Sequence, residues 1–566
     1  MHKRRSVIAT GAAALLLALC LLPLSHLLSM PQDDPDAEKG RMIVEALNQY
    51  REYEHARRSI AVQPPMPIEE AWAIEDTRHE AETPLVERMR SGNSVLGYDR
   101  EERTFYCTLG MNCGDDWPVI ELFAEGAAQE SVQVAWIDDY AYDYPEDALR
   151  DEYRYELLAY TDTQYEYIGL IFTGMPIVSL HIGYDGELGE SYVPARVSVS
   201  SAEHEAVESA ALTHIRGGGV YKGIDKFSYR VELHDEQAKG QGKAKADSML
   251  GMQPSTDWLL LSNAQEETAV RNHLCYDLWN RWNAEKGAPM MLESRLAELF
   301  VDDEYMGIYQ VMPSVDVEGE IVRMGGSLKT DSAVRMVIET NRHERPNMSY
   351  AADSGFFVEC RYSPYADPMR VFNDFEDYAR LSMSTENRLG DAEFAELAQR
   401  CLDVDAMISY YLFMQACGLG DNVFNNLYIW NIREGDRFVY RVSPWDMDLS
   451  LQETGYLEDG SVIPYYEERM VLPTRLLDLD VAGAREKLWK TWKQKRETVL
   501  MDSELEKWII DVQEYVNGSG AYRREANKWR GGAYELNLSQ ILTFEIEHMW
   551  TVETTLNERW PLEGQQ

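Results

Sequence analysis

The sequence predicts an α+β fold laid out in two successive halves, strand-rich to about residue 260 and helix-rich beyond it. Three observations carry this. Short runs of alternating or β-branched residues recur between 103 and 261. In the second half, Val270, Leu274, Leu278 and Trp282 repeat at four-residue spacing and stripe one helix face. Between the two textures of the second half, a glycine- and acid-rich loop at 418–426 is followed by two strand-like runs, 427–432 and 437–442. A chain of 566 residues with 45% apolar content is long and apolar enough for two or three cores, which excludes a disordered polymer.

Taken in order, Lys3-Arg4-Arg5 precede a mostly apolar run at 6–30, so residues 1–31 are expected to be a signal peptide or signal anchor. No Ala-x-Ala cleavage site stands near Ser29. This favours an uncleaved anchor with the body outside the membrane, a cleaved signal being the alternative. Residues 32–90, charged and broken by Pro64-Pro65, suggest a stalk with a helix at 41–58. Residues 91–175 form a small antiparallel β-domain with strands near 103–109, 118–123, 132–137 and 167–172. Residues 176–560 make the remaining domain. Its strands fall at 177–182, 195–199, 227–233 and 258–261, and its helices include 403–416, 484–501 and 503–517.

Ninety-seven acidic against 54 basic residues give a net charge of -43, which excludes nucleic acid as a partner on electrostatic grounds. Seven cysteines show no spacing with His that suggests zinc. Cys107 and Cys113 make either a small disulfide loop or two buried thiols. The acidic-aromatic run 138–144 is either a calcium or sugar site or a set of solvated turn carboxylates over packed Tyr rings.

The chemistry concentrates after 416. Asp421 is followed five residues later by Asn426, and Trp445-Asp446-Met447-Asp448 follows the hairpin. Phosphoryl transfer uses this order: an Asp to accept the hydroxyl proton, an Asn on one metal ion, and an Asp after a hairpin on the metals. Asp421 is thus the candidate base, and Asn426, Asp446 and Asp448 are the candidate metal ligands. Neither an HRD nor a DFG tripeptide occurs. Lys226, on a strand after Gly217-Gly218-Gly219, is the candidate phosphate-binding lysine, with Arg216, Arg230 and Arg271 as further cations and Asp277 as an acidic partner for Lys226.

These residues resemble the CotH kinase family of spore-coat proteins. The run from Asp421 to Tyr428 with Trp445-Asp446-Met447-Asp448 is similar to its D-x(4)-N-x-Y and W-D-x-D motifs. Arg216-Gly217-Gly218-Gly219 with Lys226 to Leu233 resembles its R-G-x-G and K-x-x-Y-R-x-x-L segments. Leu250-Gly251-Met252, Asp257 to Asn263, and Arg271-Asn272-His273-Leu274 resemble three further segments in the same order. Leu419 stands where the family usually has Asn, and Val220-Tyr221 replace its usual Asn-Ser. The resemblance implies a bilobal atypical protein-kinase-like fold and use of ATP with Mg²⁺ or Mn²⁺. It also implies transfer to Ser or Thr of a surface or spore-coat protein. Two other classes stay open: a catalytically silent docking protein of the cell or spore surface, and a surface protein binding glycan or calcium.

Overall fold

The computed structural model describes residues 35–55, 59–111, 117, 120–125, 132–137, 143–182, 188–217, 225–234, 244–284, 290–337, 348–351, 356–382, 388–419, 422, 425–451, 471–532 and 535–561. The chain forms two compact units. One comprises Met1–Ala264, Arg295–Ser314 and Glu514–Leu536; the other comprises Gln265–Ser294, Val315–Gln513 and Asn537–Gln566.

At the centre of the first unit is a closed barrel. Its strands run in the order Ile177–Ile182, Val193–Ser200, Val207–Arg216, Ser228–His234, Asp257–Leu261, Glu304–Pro313 and Arg295–Val301. All neighbours are antiparallel except the closing pair, in which Arg295–Val301 runs parallel to Ile177–Ile182. The two-residue period of a strand sends alternate side chains inward. Val197, Ala211, Val231, Trp258, Leu260 and Val311 accordingly meet in one core.

Two further sheets belong to this unit. One is ordered Ser59–Ala61, Leu122–Glu125, Arg88–Ser91, Ser94–Val95; the other is ordered Gly97–Asp99, Thr104–Thr108, Gln164–Thr173, Arg154–Tyr160, Gln133–Trp136. The expectation of a purely antiparallel domain is corrected here. Gln164–Thr173 forms a hairpin with Arg154–Tyr160, so its other edge receives Thr104–Thr108 in parallel. Arg88 and Arg90 each pair with Glu125 and with Glu208 of the barrel strand Val207–Arg216, tying sheet to barrel. The expected boundary at 175/176 falls between two strands of this single unit.

In the stretch read as a stalk, helix Pro35–His55 lies on the barrel. Ile43, Ala46 and Leu47 bury themselves against Ala210 and Leu212, which point outward from a barrel strand, and Lys39 pairs with Glu232 at 2.7 Å. Residues 1–31, Cys113 and 138–142 lie outside the described residues. Cys107 is a free thiol, its pKa pushed up to about 12 by burial. Among the described residues no helix is long and apolar enough to cross a membrane.

The second unit is built on an antiparallel sheet ordered Met348–Ala351, Phe356–Tyr362, Ser332–Val337, Leu427–Glu434, Arg437–Pro444. Helix Val404–Ala416 is apolar on every side and correspondingly buried on nearly every side. Asp403 caps its start by accepting from the Ala406 N–H and also pairs with Arg441 of the hairpin at 3.0 Å. Cys417 and Gly418 (φ +61°) end the helix and deliver the chain toward the loop before the hairpin.

Candidate active site

The hairpin register pairs Leu427 with Pro444. The next residues out are therefore Asn426 and Trp445, and the Trp445 N–H donates to the Asn426 carbonyl at 2.8 Å. This brings the amide of Asn426 and the Trp445-Asp446-Met447-Asp448 run to one end of the sheet. Asn426 (φ +51°) and Asp446 (φ +54°) both hold the left-handed conformation. Few side chains tolerate it, Asn and Asp best among them, and non-glycine residues kept there cluster at functional sites. Asp446 is exposed, while Asn426 and Asp448 are half-buried.

Asn422 braces this end. It is buried, and its Nδ2 donates to the carbonyls of Asn426 (2.9 Å) and Trp445 (2.7 Å), cross-linking the two arms of the motif. Its own carbonyl accepts from the Tyr410 hydroxyl at 2.8 Å. Leu419, at the departure from the family pattern, is buried, and its N–H closes the helix end on Met414. Asp421 lies outside the described residues.

One face of helix Arg271–Trp282 holds the segment 446–451 at four of its residues. The Tyr276 hydroxyl accepts from the Asp446 N–H at 3.3 Å, and Asn272 Oδ1 accepts from the Met447 N–H at 2.8 Å. The Cys275 thiol meets the Ser450 hydroxyl at 2.9 Å. Arg271 donates to the carbonyls of Ser450 and Leu451, while the buried Glu266 carboxylate accepts from the Arg271 N–H and lies 3.5 Å from its guanidinium. In this structure Arg271 is thus a clamp on the backbone after the acidic motif.

On strand Ser332–Val337, beside the hairpin in the same sheet, Arg335 pairs with Glu359 at 2.7 Å. Burial opposes its charge, but Glu359, Tyr428 and Asp446 together raise its pKa, so Asp446 faces a fixed positive neighbour.

The other candidate cations belong to the first unit. Lys226 is buried, and its ammonium reaches the Ile308 carbonyl at 3.0 Å and both Glu525 carboxylate oxygens at 2.8 Å. Glu525, from helix Ala521–Trp529, also accepts from the Ile308 N–H (2.8 Å) and from Arg530 (3.0 Å). Gly307 (φ +92°) makes room for it: a Cβ there would stand 2.0 Å from a Glu525 oxygen. The acidic partner of Lys226 is therefore Glu525, correcting the expectation of Asp277, which lies one helical turn from Arg281. Arg230 pairs with Asp257 on the adjacent strand at 2.7 Å, and Arg216 ends its strand half-buried on the same outer face. Gly218 and Gly219 are outside the described residues.

Sequence reasoning missed Asn272, Tyr276 and Glu525 and gave Asn422 no bracing role. Tyr276 lies four residues from Asn272 on a segment already singled out, which was a usable signal for both. Glu525 carried none, since it stands 299 residues from Lys226.

A family model described as CotH kinase protein matches residues 213–551, and the chain belongs to the CotH kinase family. No curated protein matches it. A kinase-like function for the chain follows at the level of the family. That family implies ATP and a divalent cation. Among the described residues no three His, Cys, Asp or Glu side chains group to hold a metal. Asn426, Asp446 and Asp448 supply two carboxylates and an amide oxygen, the hard donor types that Mg²⁺ and Mn²⁺ take.

Proposed function

We propose that this protein transfers the γ-phosphoryl group of ATP to a Ser or Thr hydroxyl of a surface protein. The observation that carries this is the hairpin register, which sets Asn426 against Trp445-Asp446 with both Asn426 and Asp446 in the left-handed conformation. Bound Mg²⁺ or Mn²⁺ would neutralise the charge on the phosphates. Asn426, Asp446 and Asp448 supply its ligands, and Asp421 orients the acceptor hydroxyl and takes its proton. Lys226 is held by Glu525 and the Ile308 carbonyl within the barrel unit, and the outward Arg216 and Arg230 supply cations for the phosphates. Arg271 serves through the backbone of 450–451.

The basic start and apolar run at 6–30 support an extracytoplasmic place, anchored or secreted. Protease added to intact cells is expected to remove the body while cytoplasmic markers survive.

The test of the chemistry is label transfer from ATP with Mn²⁺ or Mg²⁺ to a Ser-rich acceptor by the full chain. Asp421→Ala and Asp446→Ala are each expected to abolish it. Transfer that persists in both variants rules out these roles. A folded wild type that binds nucleotide and transfers nothing is a docking protein instead.

A further inference from the structure

Helix Arg271–Trp282 carries a polar group that its packing does not explain. Asn272 is fully buried. Its Oδ1 is fixed as the oxygen because it accepts from the Met447 N–H at 2.8 Å, and its NH₂ is left buried with no hydrogen-bond partner. A buried amide with an unmet donor is a poor choice for packing alone, and such groups in native proteins call for a functional account. Met447 is the residue between Asp446 and Asp448. One turn along the helix, the Tyr276 hydroxyl sits on the N–H of Asp446 itself. Successive backbone N–H groups at the centre of the acidic motif are thus held by two side chains at i and i+4 of one helix. Neither bond engages a carboxylate. Both fix the backbone from which the carboxylates project, and they do so where Asp446 adopts a conformation that residues other than Gly, Asn and Asp seldom take.

We propose that Asn272 and Tyr276 are positioning residues for metal binding. They hold Asp446 and Asp448 in the arrangement that receives the cation, and removing them weakens the metal site more than it weakens the fold. This rests on the proposed function above for the identity of the cation. Groups that orient metal ligands without touching the metal change affinity about 10- to 100-fold when removed.

The test uses the full chain without nucleotide and counts unbound Mn²⁺ by electron paramagnetic resonance, with the metal-free Tm measured alongside. Asn272→Leu keeps the volume and removes the acceptor, and it is expected to raise the Mn²⁺ Kd at least tenfold. Asn272→Asp keeps an acceptor for the Met447 N–H and is expected to stay near the wild-type Kd. Tyr276→Phe, the gentler change, keeps the fold if Asn272→Leu does not, and is expected to raise Kd several-fold. Trp282→Phe loosens the same helix at its far end and sets how far Kd moves with stability alone. Wild-type Kd in folded Tyr276→Phe and Asn272→Leu overturns the proposal, as does a Kd change no larger than that of Trp282→Phe at equal loss of Tm. A wild-type chain that binds no Mn²⁺ overturns both this proposal and the kinase function. One that binds Mn²⁺ yet transfers no phosphate ends only the kinase function.

Discussion

Lys226 and Glu525 form an ion pair sealed from water, with every ammonium proton and both carboxylate oxygens in use. Deleting one member strands the other charge, which costs about 3–5 kcal/mol in comparable buried pairs. Lys226→Met should lose stability on that scale in urea denaturation, and Lys226→Met with Glu525→Gln should recover part of it. An exposed phosphate-binding lysine would instead show almost no change. A second buried acid behaves differently. Both carboxylate oxygens of Glu545 are buried without a hydrogen-bond partner, and burial raises its pKa well above 4.5. Folded, it stays protonated as pH rises past 4.5; unfolded, it ionises there. The unfolded chain then binds fewer protons, so stability falls with rising pH. Glu545→Gln should remove that slope, and its stability relative to wild type should climb from pH 4.5 upward. Parallel curves would show that Glu545 is ionised in the fold.

At the scale of elements, the docking of helix Pro35–His55 has its own pH signature. Burial works against the charge of Glu232, but His234 and Lys39 hold its pKa down at about 2. Its contribution is complete above the ordinary value of 4.5 and is lost as pH falls toward 2. Glu232→Gln should be less stable than wild type at pH 7 and equal to it near pH 2, as read by thermal melts across that range. Local elements were well marked in the sequence. The run at 177–182 matches strand Ile177–Ile182, and the helix expected at 403–416 begins one residue later because Asp403 is its cap. The hairpin was found because its alternation and the Glu434-Gly435-Asp436 turn are contained in one short stretch. The helix expected at 484–501 stops at Arg496, where the Leu500 N–H turns back onto the Lys495 carbonyl, a local helix end that apolar periodicity does not mark. Of the site, the acid and amide types were legible because the chemistry demands them. Their supports at Asn272 and Tyr276 were not, because an Asn on a helix looks alike whether it faces water or a buried N–H.

At the scale of the whole molecule, no division into consecutive segments describes the fold. The chain passes between its two units at 264/265, 294/295, 314/315, 513/514 and 536/537. A chain ending at 513 lacks Arg524 and Glu525, and so leaves Glu298 and Lys226 buried without their partners. Such a truncation should lose cooperative unfolding of the barrel unit, visible as a broadened circular dichroism melt and rapid proteolysis between 177 and 313. A sharp melt would mean that the barrel is self-sufficient.

The parallel closure of the barrel has a bearing on how the protein comes into being. One edge of strand Ile177–Ile182 is taken by Val193–Ser200, but the other is joined by Arg295–Val301 after helix Arg271–Trp282 has been made. Lys226 then waits for a carboxylate near the end of the chain. A polypeptide emerging N-terminus first therefore carries an open sheet edge until Val301 is made and an unneutralised cation until Glu525 follows. Long-range closure of this kind makes folding slow and leaves intermediates sticky. Closure of the barrel strands thus precedes the fixing of Lys226, and a chain interrupted before Glu525 lacks the ordered cation.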